Sequence, residues 1–261
     1  MLEFETILYK SVSGVGYLTF NRPEVRNAIN IKMIDEVEEV IEFIENSSQI
    51  EILLITGTGE SFCAGADTTE FLNMNIPENQ DFLDRFGKMT KRIQDLSIPV
   101  IGKINGFAFG GGAEIATSCD FRIASNQASF RFPGVSYGLV VTSSNLPIIV
   151  GVSKAKELLF RSCIISADEA LRIGLVDQLV KVEELDQYTE KVVKEIKSNS
   201  IIAVKKAKET INKGVGEVMD IRMELEKRAN HFLVHHTNYR DTFNNFVEKR
   251  KSNVKYKPLL D

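Results

Sequence analysis

Two stretches of the same design constrain the fold of this chain more than any other feature. Each begins with an apolar run, at residues 52–56 and 100–104, and continues into small residues that precede a segment with helical potential. The small residues read Ser-Phe-Cys-Ala-Gly-Ala-Asp at 61–67 and Asn-Gly-Phe-Ala-Phe-Gly-Gly-Gly-Ala-Glu at 105–114. Each stretch therefore predicts a strand, a glycine turn and the start of a helix.

The second glycine turn predicts a place where an oxygen that gains negative charge can bind. Helix starts present unpaired N–H groups at the positive end of the helix dipole, and glycine lets a ligand approach them closely. If Gly111 lies in the first turn, Glu114 follows three residues later on the same face of the helix. An oxyanion donor beside a base favours carbonyl chemistry, and the alternative is an ordinary glycine-rich connection.

The composition argues against several classes of protein. With 261 residues and 43% hydrophobic content, the chain can bury a large core as one domain, or as one domain with a helical appendage. The net charge of −4 argues against a general nucleic-acid binder, although residues 249–257 are locally basic. The amino terminus has no basic segment before a long apolar run, and no apolar stretch nears the length of a membrane span. We expect a soluble, cytoplasmic protein with no membrane partner.

The cysteines and histidines predict no metal site. The three cysteines, Cys63, Cys119 and Cys163, are odd in number and lack CxxC spacing, which favours reduced core thiols over a disulfide framework or a zinc site. His231 and His235 lie one turn apart on a predicted helix, but the residues between them lack the glutamate of an HExxH motif.

Hydrophobic periodicity predicts the elements around the two glycine turns. Strands are expected at 4–10 and 16–20, and apolar residues from Ile31 to Ile44 recur at helical spacing. A second helix is expected around Phe82 to Ile93. The polar segment 73–80 between these helices predicts a surface loop, or alternatively a mobile flap over a pocket.

The second half of the chain is predicted to change from strands to helices. Short strands are expected at 121–124 and 129–132, with a helix beyond residue 142. A capping box predicts a short helix over 167–173, which a strand-like run at 175–180 follows. From residue 182 onward the pattern predicts helices and no further sheet, with a boundary near Ser198.

With these residues laid out, the chain resembles the crotonase superfamily of enoyl-CoA hydratases and isomerases over nearly its whole length. The matching motifs occur in the family's order: Asn-Arg-Pro-x-x-x-Asn-Ala at 21–28, Ala-Gly-Ala-Asp at 64–67, Asn-Gly through Cys-Asp at 105–120, Ser-Ala-x-Glu-Ala through Gly-Leu-Val at 166–176, and Phe-Val-Glu-Lys-Arg-Lys at 246–251.

The resemblance implies an α/β fold, a crotonase-like spiral of ββα units with a C-terminal helical oligomerisation region. The spiral core would comprise residues 1–198 and the helical region residues 199–261. The resemblance further implies a homotrimer or dimer of trimers, and an acyl-CoA thioester that is a substrate, with no separate cofactor.

The resemblance also assigns candidate site residues. The amides of Ala66 and Gly111 would hold the thioester oxygen, and Glu114 would act as the acid or base. An amide donor of this kind contributes about 2.7–4 kcal/mol to transition-state stabilisation. The residues expected to bind substrate are Arg26 at a CoA phosphate, Ala64, Gly65 and Asp67 along the adenine and pantetheine path, Gly110 and Gly134, and Phe246 and Lys249 closing a neighbour's site.

One departure from the family pattern leaves the reaction open. Hydratases of this family carry a second glutamate in a Pro-Glu turn, which here reads Pro133-Gly134, and the glycine-rich segment that follows is replaced by Val-Val-Thr-Ser-Ser-Asn at 140–145. Decarboxylation of a malonyl-type thioester, hydration by Glu114 with a serine-held water, and a non-catalytic acyl-CoA or RNA binder are the alternatives. The candidates to replace the missing acid are Arg131, Ser136, Tyr137, Thr142, Ser143, Ser144 and Asn145.

A different enzyme class is suggested by Gly-Val-Ser-Tyr-Gly at 134–138, which matches the GxSxG motif of serine hydrolases. That motif needs a strand leading directly into the turn and a helix directly after it. Pro133 before the motif and the β-branched Val140 and Val141 after it argue against this interpretation.

Overall fold

The structure is a computed structural model in which residues 4–252 are described. Within the last two helices, the side chains at 216, 217, 246 and 249–252 also lie outside the described part. The predicted roles of Phe246 and Lys249 fall on these side chains and so lie outside the described residues. The described residues form ten strands and ten α-helices.

The strands belong to two sheets. They are β1 (Ile7–Val12), β2 (Val15–Phe20), β3 (Ile52–Gly57), β4 (Ser61–Cys63), β5 (Val100–Ile104), β6 (Phe107–Phe109), β7 (Phe121–Ser125), β8 (Ser129–Arg131), β9 (Ile164–Ser166) and β10 (Gln178–Val180). One sheet has six strands in the order β1-β2-β3-β5-β7-β10, and the other has four in the order β4-β6-β8-β9. Only β1–β2 and β8–β9 pair antiparallel within these sheets.

The helices alternate with pairs of strands in the first two thirds of the chain. They are α1 (Ile31–Glu45), α2 (Thr68–Asn73), α3 (Ile76–Asp95), α4 (Gly111–Ser118), α5 (Leu146–Val150), α6 (Val152–Arg161), α7 (Ala167–Arg172), α8 (Leu185–Lys197), α9 (Ile201–His236) and α10 (Tyr239–Ser252). The first pair, β1 and β2, lies wholly in the large sheet. In each of the next three pairs a longer strand enters the large sheet, a three-residue strand enters the small sheet, and a helix follows. This is the ββα spiral that the resemblance implied, with helices following it.

The apolar runs that the sequence analysis began from are buried on both faces of the large sheet. Leu53 and Ile55 of β3 pack into the main core, while Ile52 and Leu54 pack into a second cluster with Leu185 of α8. A strand covered on both faces needs apolar residues at every position, which explains why these runs do not alternate. The division of the chain at residues 198 and 199 stays a prediction, although α9 begins close to it.

The polar segment 73–80 is neither the surface loop nor the mobile flap that the sequence predicts. Asn75 caps α3 in a capping box with Glu78, and Pro77 occupies the first turn, so the segment is largely helical. Asn79 is buried, and its amide donates a 2.8 Å hydrogen bond to the carbonyl of Phe71. The prediction failed because helix-capping residues are polar and resemble loop residues in composition.

Other element bounds differ modestly from the prediction. The first strand starts at Ile7 and not at residue 4, and the strand expected at 175–180 is confined to Gln178–Val180. The short capped helix is confirmed as α7, where Ser166 accepts a hydrogen bond from the amide of Glu169. The short strands β4 and β6, three residues each, had no separate signal in the sequence.

The position of α4 is fixed at its start by contact with β4. A Cβ atom built on Gly112 would lie 2.1 Å from the carbonyl oxygen of Cys63, so only glycine permits this approach. The first turn of α4 therefore lies directly against the small sheet.

The far end of α4 is held by one buried guanidinium. Arg122 donates hydrogen bonds to the carbonyls of Cys119 at 3.0 Å, Ala116 at 3.4 Å and Leu175 at 2.7 Å, and it pairs with Asp177 at 3.0 Å. The bonds to Ala116 and Cys119 reach carbonyls at the end of α4, and the bond to Leu175 ties that end to the segment after α7.

Along the part of the chain that the structure describes, no helix combines the length and the apolar character that crossing a membrane requires.

The replacement Arg122→Ala is expected to lower the free energy of unfolding by about 3 kcal/mol, because it leaves buried carbonyls without a donor. Urea unfolding at neutral pH measures this change. The control Arg172→Ala removes an exposed guanidinium that bonds Glu169 at the surface, and it should leave the stability nearly unchanged. Equal losses in the two variants would contradict a role of Arg122 in holding α4.

The replacement Gly112→Ala should lower the free energy of unfolding by about 1–3 kcal/mol, since the added methyl group must push α4 away from Cys63. Gly87→Ala is the matched control in α3, where a Cβ atom meets nothing within 4 Å. That change should raise the stability by about 0.5–1 kcal/mol. Thermal and urea unfolding of both variants would test the contrast, and a Gly112→Ala protein as stable as the parent would refute the contact.

Candidate active site

The two glycine turns meet at one small cavity of about 60 Å³. One turn follows β4 and the other follows β6, and these strands are parallel neighbours in the small sheet. The turns therefore lie side by side at the same edge. Six residues predicted from the sequence line the cavity: Ala64, Gly65, Ala66, Gly110, Gly111 and Gly134.

Ala66 turns its amide away from the neighbouring chain segment. Gly65 accepts a hydrogen bond from the amide of Ile29, and Asp67 donates one to the carbonyl of Ile29, both at 2.8 Å. Ala66 lies between these two partners and forms a parallel bridge with Ile29, so its own N–H and C=O point away from Ile29. Within residues 4–252 no hydrogen-bond acceptor is found for the Ala66 amide.

The amide of Gly111 lies close to the same turn. Gly111 is the first residue of α4, so its N–H has no acceptor within the helix. A Cβ atom built on Gly65 would lie 3.3 Å from the Gly111 nitrogen and 2.8 Å from the carbonyl oxygen of Phe109. Gly65 has a φ of +92°, so both its conformation and its contacts require glycine.

Aromatic and aliphatic side chains close the small cavity. They include Phe71, Phe82, Leu83, Phe86, Tyr137, Leu139, Val141 and Phe243. Phe243 comes from α10 of the same chain and lies 5.1 Å from the Phe71 ring and 5.2 Å from the Tyr137 ring, measured between centroids. The sequence analysis missed Phe243, because nothing in the spacing of α10 shows which helix face meets the core.

Glu114 faces a second, larger cavity of about 390 Å³. The two cavities share Leu83, Phe86 and Val141 as walls. The carboxylate accepts long hydrogen bonds from the hydroxyls of Thr90 and Thr142, both at 3.4 Å. The candidate acid or base is thus separated from the two amides by only a few apolar side chains.

Burial makes the Glu114 carboxyl a weaker acid than usual. Its desolvation, together with the nearby carboxylate of Glu226, raises the pKa of the Glu114 carboxyl to about 8. The hydroxyls of Thr142 and Thr90 oppose this rise. Glu114 is therefore mostly protonated at neutral pH.

The segment that replaces the family's glycine-rich sequence has a strained backbone at its centre. Thr142 has a φ of +68°, a conformation that costs a β-branched residue about 1–3 kcal/mol. Its hydroxyl meets Glu114, while its amide donates a 3.2 Å hydrogen bond to Glu226. Among the candidates for the missing acid, Thr142 donates a hydrogen bond to Glu114.

Four of the other candidates donate hydrogen bonds to other groups. Ser143 and Ser144 donate to Glu226, Asn145 donates to the carbonyl of Thr117, and Arg131 donates to the carbonyl of Ser162. Ser136 lies in a 3₁₀ turn at Gly134–Tyr137.

Helix α9 holds this segment from the C-terminal region. Glu226 accepts hydrogen bonds from the backbone amides of Thr142 at 3.2 Å and Ser144 at 2.8 Å, and from the hydroxyl of Ser143 at 2.5 Å. One helical turn further, Asn230 exchanges two hydrogen bonds with the backbone of Val140. The sequence analysis missed both, since they lie more than 80 residues from the segment and match no local motif.

Gly134 lies in a crowded place. A Cβ atom there would meet the carbonyl oxygen of Leu139 at 3.0 Å and the amide nitrogen of Val141 at 3.1 Å. The segment after Gly134 thus occupies the space that a side chain at residue 134 would need. The same region excludes a nucleophile elbow, because β8 ends at Arg131 and residues 134–137 form a 3₁₀ turn.

Arg26 and Asp67 lie at the rim. The exposed guanidinium of Arg26 lies 5.9 Å from the centroid of the Phe107 ring, and its carbonyl accepts a hydrogen bond from Ala64. Asp67 pairs with Arg22 at 3.0 Å and caps α2. Asp67 therefore has structural partners that explain its residue type without a ligand.

The described cysteines and acidic residues form no metal centre. No group of three or more His, Cys, Asp or Glu side chains that could hold a metal ion occurs among the described residues. Burial raises the pKa of the thiols of Cys63 and Cys119 to about 12, so these core thiols are unreactive.

Comparison with known proteins gives one consistent match. Residues 10–257 match the enoyl-CoA hydratase/isomerase family. The short-chain-enoyl-CoA hydratase of Clostridium acetobutylicum is 39% identical over 254 residues, covering 96% of this chain and 97% of that protein. The crotonyl-CoA hydratase of Syntrophomonas wolfei is 35% identical over 256 residues, covering 97% and 98%.

Solved structures agree with the sequence comparison. The crystal structure of an enoyl-CoA hydratase from Bacillus anthracis superimposes with a TM-score of 0.79 at 31% identity, covering 94% of this chain and 97% of that one. The enoyl-CoA hydratase of Bacillus halodurans has the same fold, with a TM-score of 0.86 at 21% identity. The expected crotonase fold is confirmed, and the chain is an enzyme that belongs to the enoyl-CoA hydratase/isomerase family.

Proposed function

We propose that this enzyme binds an acyl-CoA thioester with its carbonyl oxygen between the amides of Ala66 and Gly111. As negative charge develops on that oxygen, two fixed donors stabilise the enolate, and Glu114 transfers a proton at the adjacent carbon. The observation that carries the proposal is the meeting of two unpaired amides at one cavity whose walls adjoin Glu114.

The rim residues fit the rest of the substrate. We propose that the CoA portion runs past Ala64, Gly65 and Gly110, with a phosphate near the exposed guanidinium of Arg26. Gly134 would border the acyl group. Asp67 contributes by fixing the turn through its bond to Arg22 rather than by contacting the substrate.

The acyl group is proposed to be short. The small cavity beside the amides measures about 60 Å³ and is closed by aromatic rings. Two relatives are named as hydratases of short-chain enoyl-CoA and of crotonyl-CoA. A short enoyl-CoA is therefore the first substrate to test.

Decarboxylation of a malonyl-type thioester is the second candidate. It requires enolate stabilisation and one proton donor, and the protonated Glu114 supplies that donor without a second carboxylate at residue 134. A turnover screen with crotonyl-CoA, a 3-enoyl-CoA and malonyl-CoA separates hydration, isomerisation and decarboxylation by their products.

In the substrate that turns over, Glu114→Gln should reduce kcat by at least about a hundredfold, because the proton transfer loses its group. Binding of acetyl-CoA, measured by calorimetry, should remain, since the two amides are untouched. Glu157→Gln removes a surface carboxylate that pairs with Lys154 and Arg161, and it serves as the matched control with unchanged turnover. A Glu114→Gln enzyme with the parent rate would remove Glu114 from the mechanism.

We further propose that the enzyme assembles into a homotrimer or a dimer of trimers through α9. Four apolar side chains spaced seven residues apart form an exposed stripe on this helix: Ile211, Val218, Leu225 and Phe232, each more than half exposed. Seven residues are close to two helical turns, so the four share one face. Exposed apolar side chains aligned on one helix face favour contact with another copy of the chain.

The double replacement Val218→Glu and Leu225→Glu should convert the assembly into monomers, because it places charges within the apolar contact. Sedimentation velocity or mass photometry measures the outcome. Ile202→Glu is the matched control, since Ile202 is also exposed but lies on the opposite face of α9 from Ile211. Identical masses for the parent and the doubly substituted protein would rule out this stripe as the interface.

A further inference from the structure

Two carboxylates share the larger cavity, and one residue touches both. Glu114 enters from α4 and Glu226 from α9. The hydroxyl of Thr142 lies 3.4 Å from Glu114, while its amide lies 3.2 Å from Glu226. Thr142 makes these two contacts with a positive φ of +68°.

The two carboxylates differ in the donors that surround them. Glu226 receives three hydrogen bonds, two from backbone amides and one from the hydroxyl of Ser143 at 2.5 Å. Glu114 receives two long bonds from hydroxyls, at 3.4 Å each. Burial raises the pKa of the Glu226 carboxyl as well, but the donors from residues 142–144 oppose that rise. Because Glu226 has more and shorter donor contacts than Glu114, the single negative charge of the pair belongs on Glu226.

We propose that Glu226 is a positioning residue of the active site, which carries the negative charge of the pair and thereby keeps a proton on Glu114. The inference rests on the proposed function, because the retained proton is the one that Glu114 would transfer. Residue 134 is a glycine and offers no carboxylate, and Glu226 of α9 supplies a second carboxylate to the site instead.

The proton balance of the step is simple. The O–H bond of Glu114 breaks as the electron pair of the enolate forms a C–H bond at the α-carbon. Glu114 is left as a carboxylate opposite the ionised Glu226, and it regains a proton from solvent before the next turnover. Repulsion between the two carboxylates makes Glu114 a weaker acid, so it releases its proton only to a strong base such as the enolate. The same repulsion favours the return of a proton from solvent.

Most of the other charged groups around the cavity form ion pairs, either with one another or with residues nearby. They are Asp84, Lys88, Lys91 and Arg92 from α3, and Asp220, Glu224 and Lys227 from α9. Lys227 pairs with Asp84 at 2.9 Å, and Lys91 lies 3.6 Å from Asp220. Glu224 pairs with Arg228 at 2.7 Å.

The test is a pH titration of the free enzyme by infrared difference spectroscopy, which detects protonated carboxyl groups without any substrate. The band lost in Glu114→Gln identifies Glu114, and in the parent it should disappear near pH 8. In Glu226→Gln the midpoint should fall by about one pH unit, because the neighbouring charge is gone. Glu226→Asp, which keeps the charge, should restore a midpoint close to that of the parent.

Glu224→Gln is the matched control, since it also removes a carboxylate that lines the cavity on α9 but makes no bond to residues 142–144. It should leave the midpoint in place. An unchanged midpoint in Glu226→Gln, or the same shift in Glu224→Gln, would overturn the inference.

The parent protein supplies a test that needs no folded variant of Glu226. At neutral pH the pair should hold one proton, so two protonated carboxyl bands from this site would also overturn the inference. Where a substrate turns over, the alkaline limb of kcat/KM should move together with the infrared midpoint. A shifted midpoint alongside an unaffected Glu114→Gln rate would reject the proposed function while leaving the proton assignment intact.

Discussion

The contact between the first turn of α4 and the edge of the small sheet is the constraint on which the site depends. Gly112 lies against the carbonyl of Cys63 at a distance that no side chain permits, and a Cβ atom on Gly65 would lie 2.8 Å from the carbonyl oxygen of Phe109. These two contacts bring the turns after β4 and β6 together at one small cavity. The amides of Ala66 and Gly111 belong to these turns, and we propose that they bind the substrate oxygen there.

Glu114 shows how the same packing sets the chemistry. Placing a carboxyl in the first turns of α4 buries it, and burial outweighs the favourable helix dipole. Because the folded chain holds this proton more tightly than the unfolded chain does, the free energy of unfolding falls as the pH rises from about 4.5 toward about 8. The buried Glu114 carboxyl therefore lowers the free energy of unfolding at neutral pH, and its raised pKa supports the proposed role as a proton donor.

Helix α9 joins the site to the C-terminal region in two ways. Its inward face carries Glu226 and Asn230, which bind the backbone of residues 140–144. Its outward face carries the apolar stripe proposed to meet another copy. A helix that both shapes the segment beside Glu114 and forms a subunit contact would couple assembly to the geometry of the site.

The sequence by itself determined the family, the spiral of strands and helices, and six of the residues that line the small cavity, because glycine turns and buried apolar strands leave local signals. It did not determine that residues 73–80 are mostly helical, since capping residues and loop residues have the same polar composition. It also did not reveal Phe243, Glu226 or Asn230 as neighbours of the site. Only the tertiary structure decided that these three residues lie at the site, because their partners are far away along the chain. Contacts between distant segments depend on packing, and packing leaves no spacing pattern in the sequence.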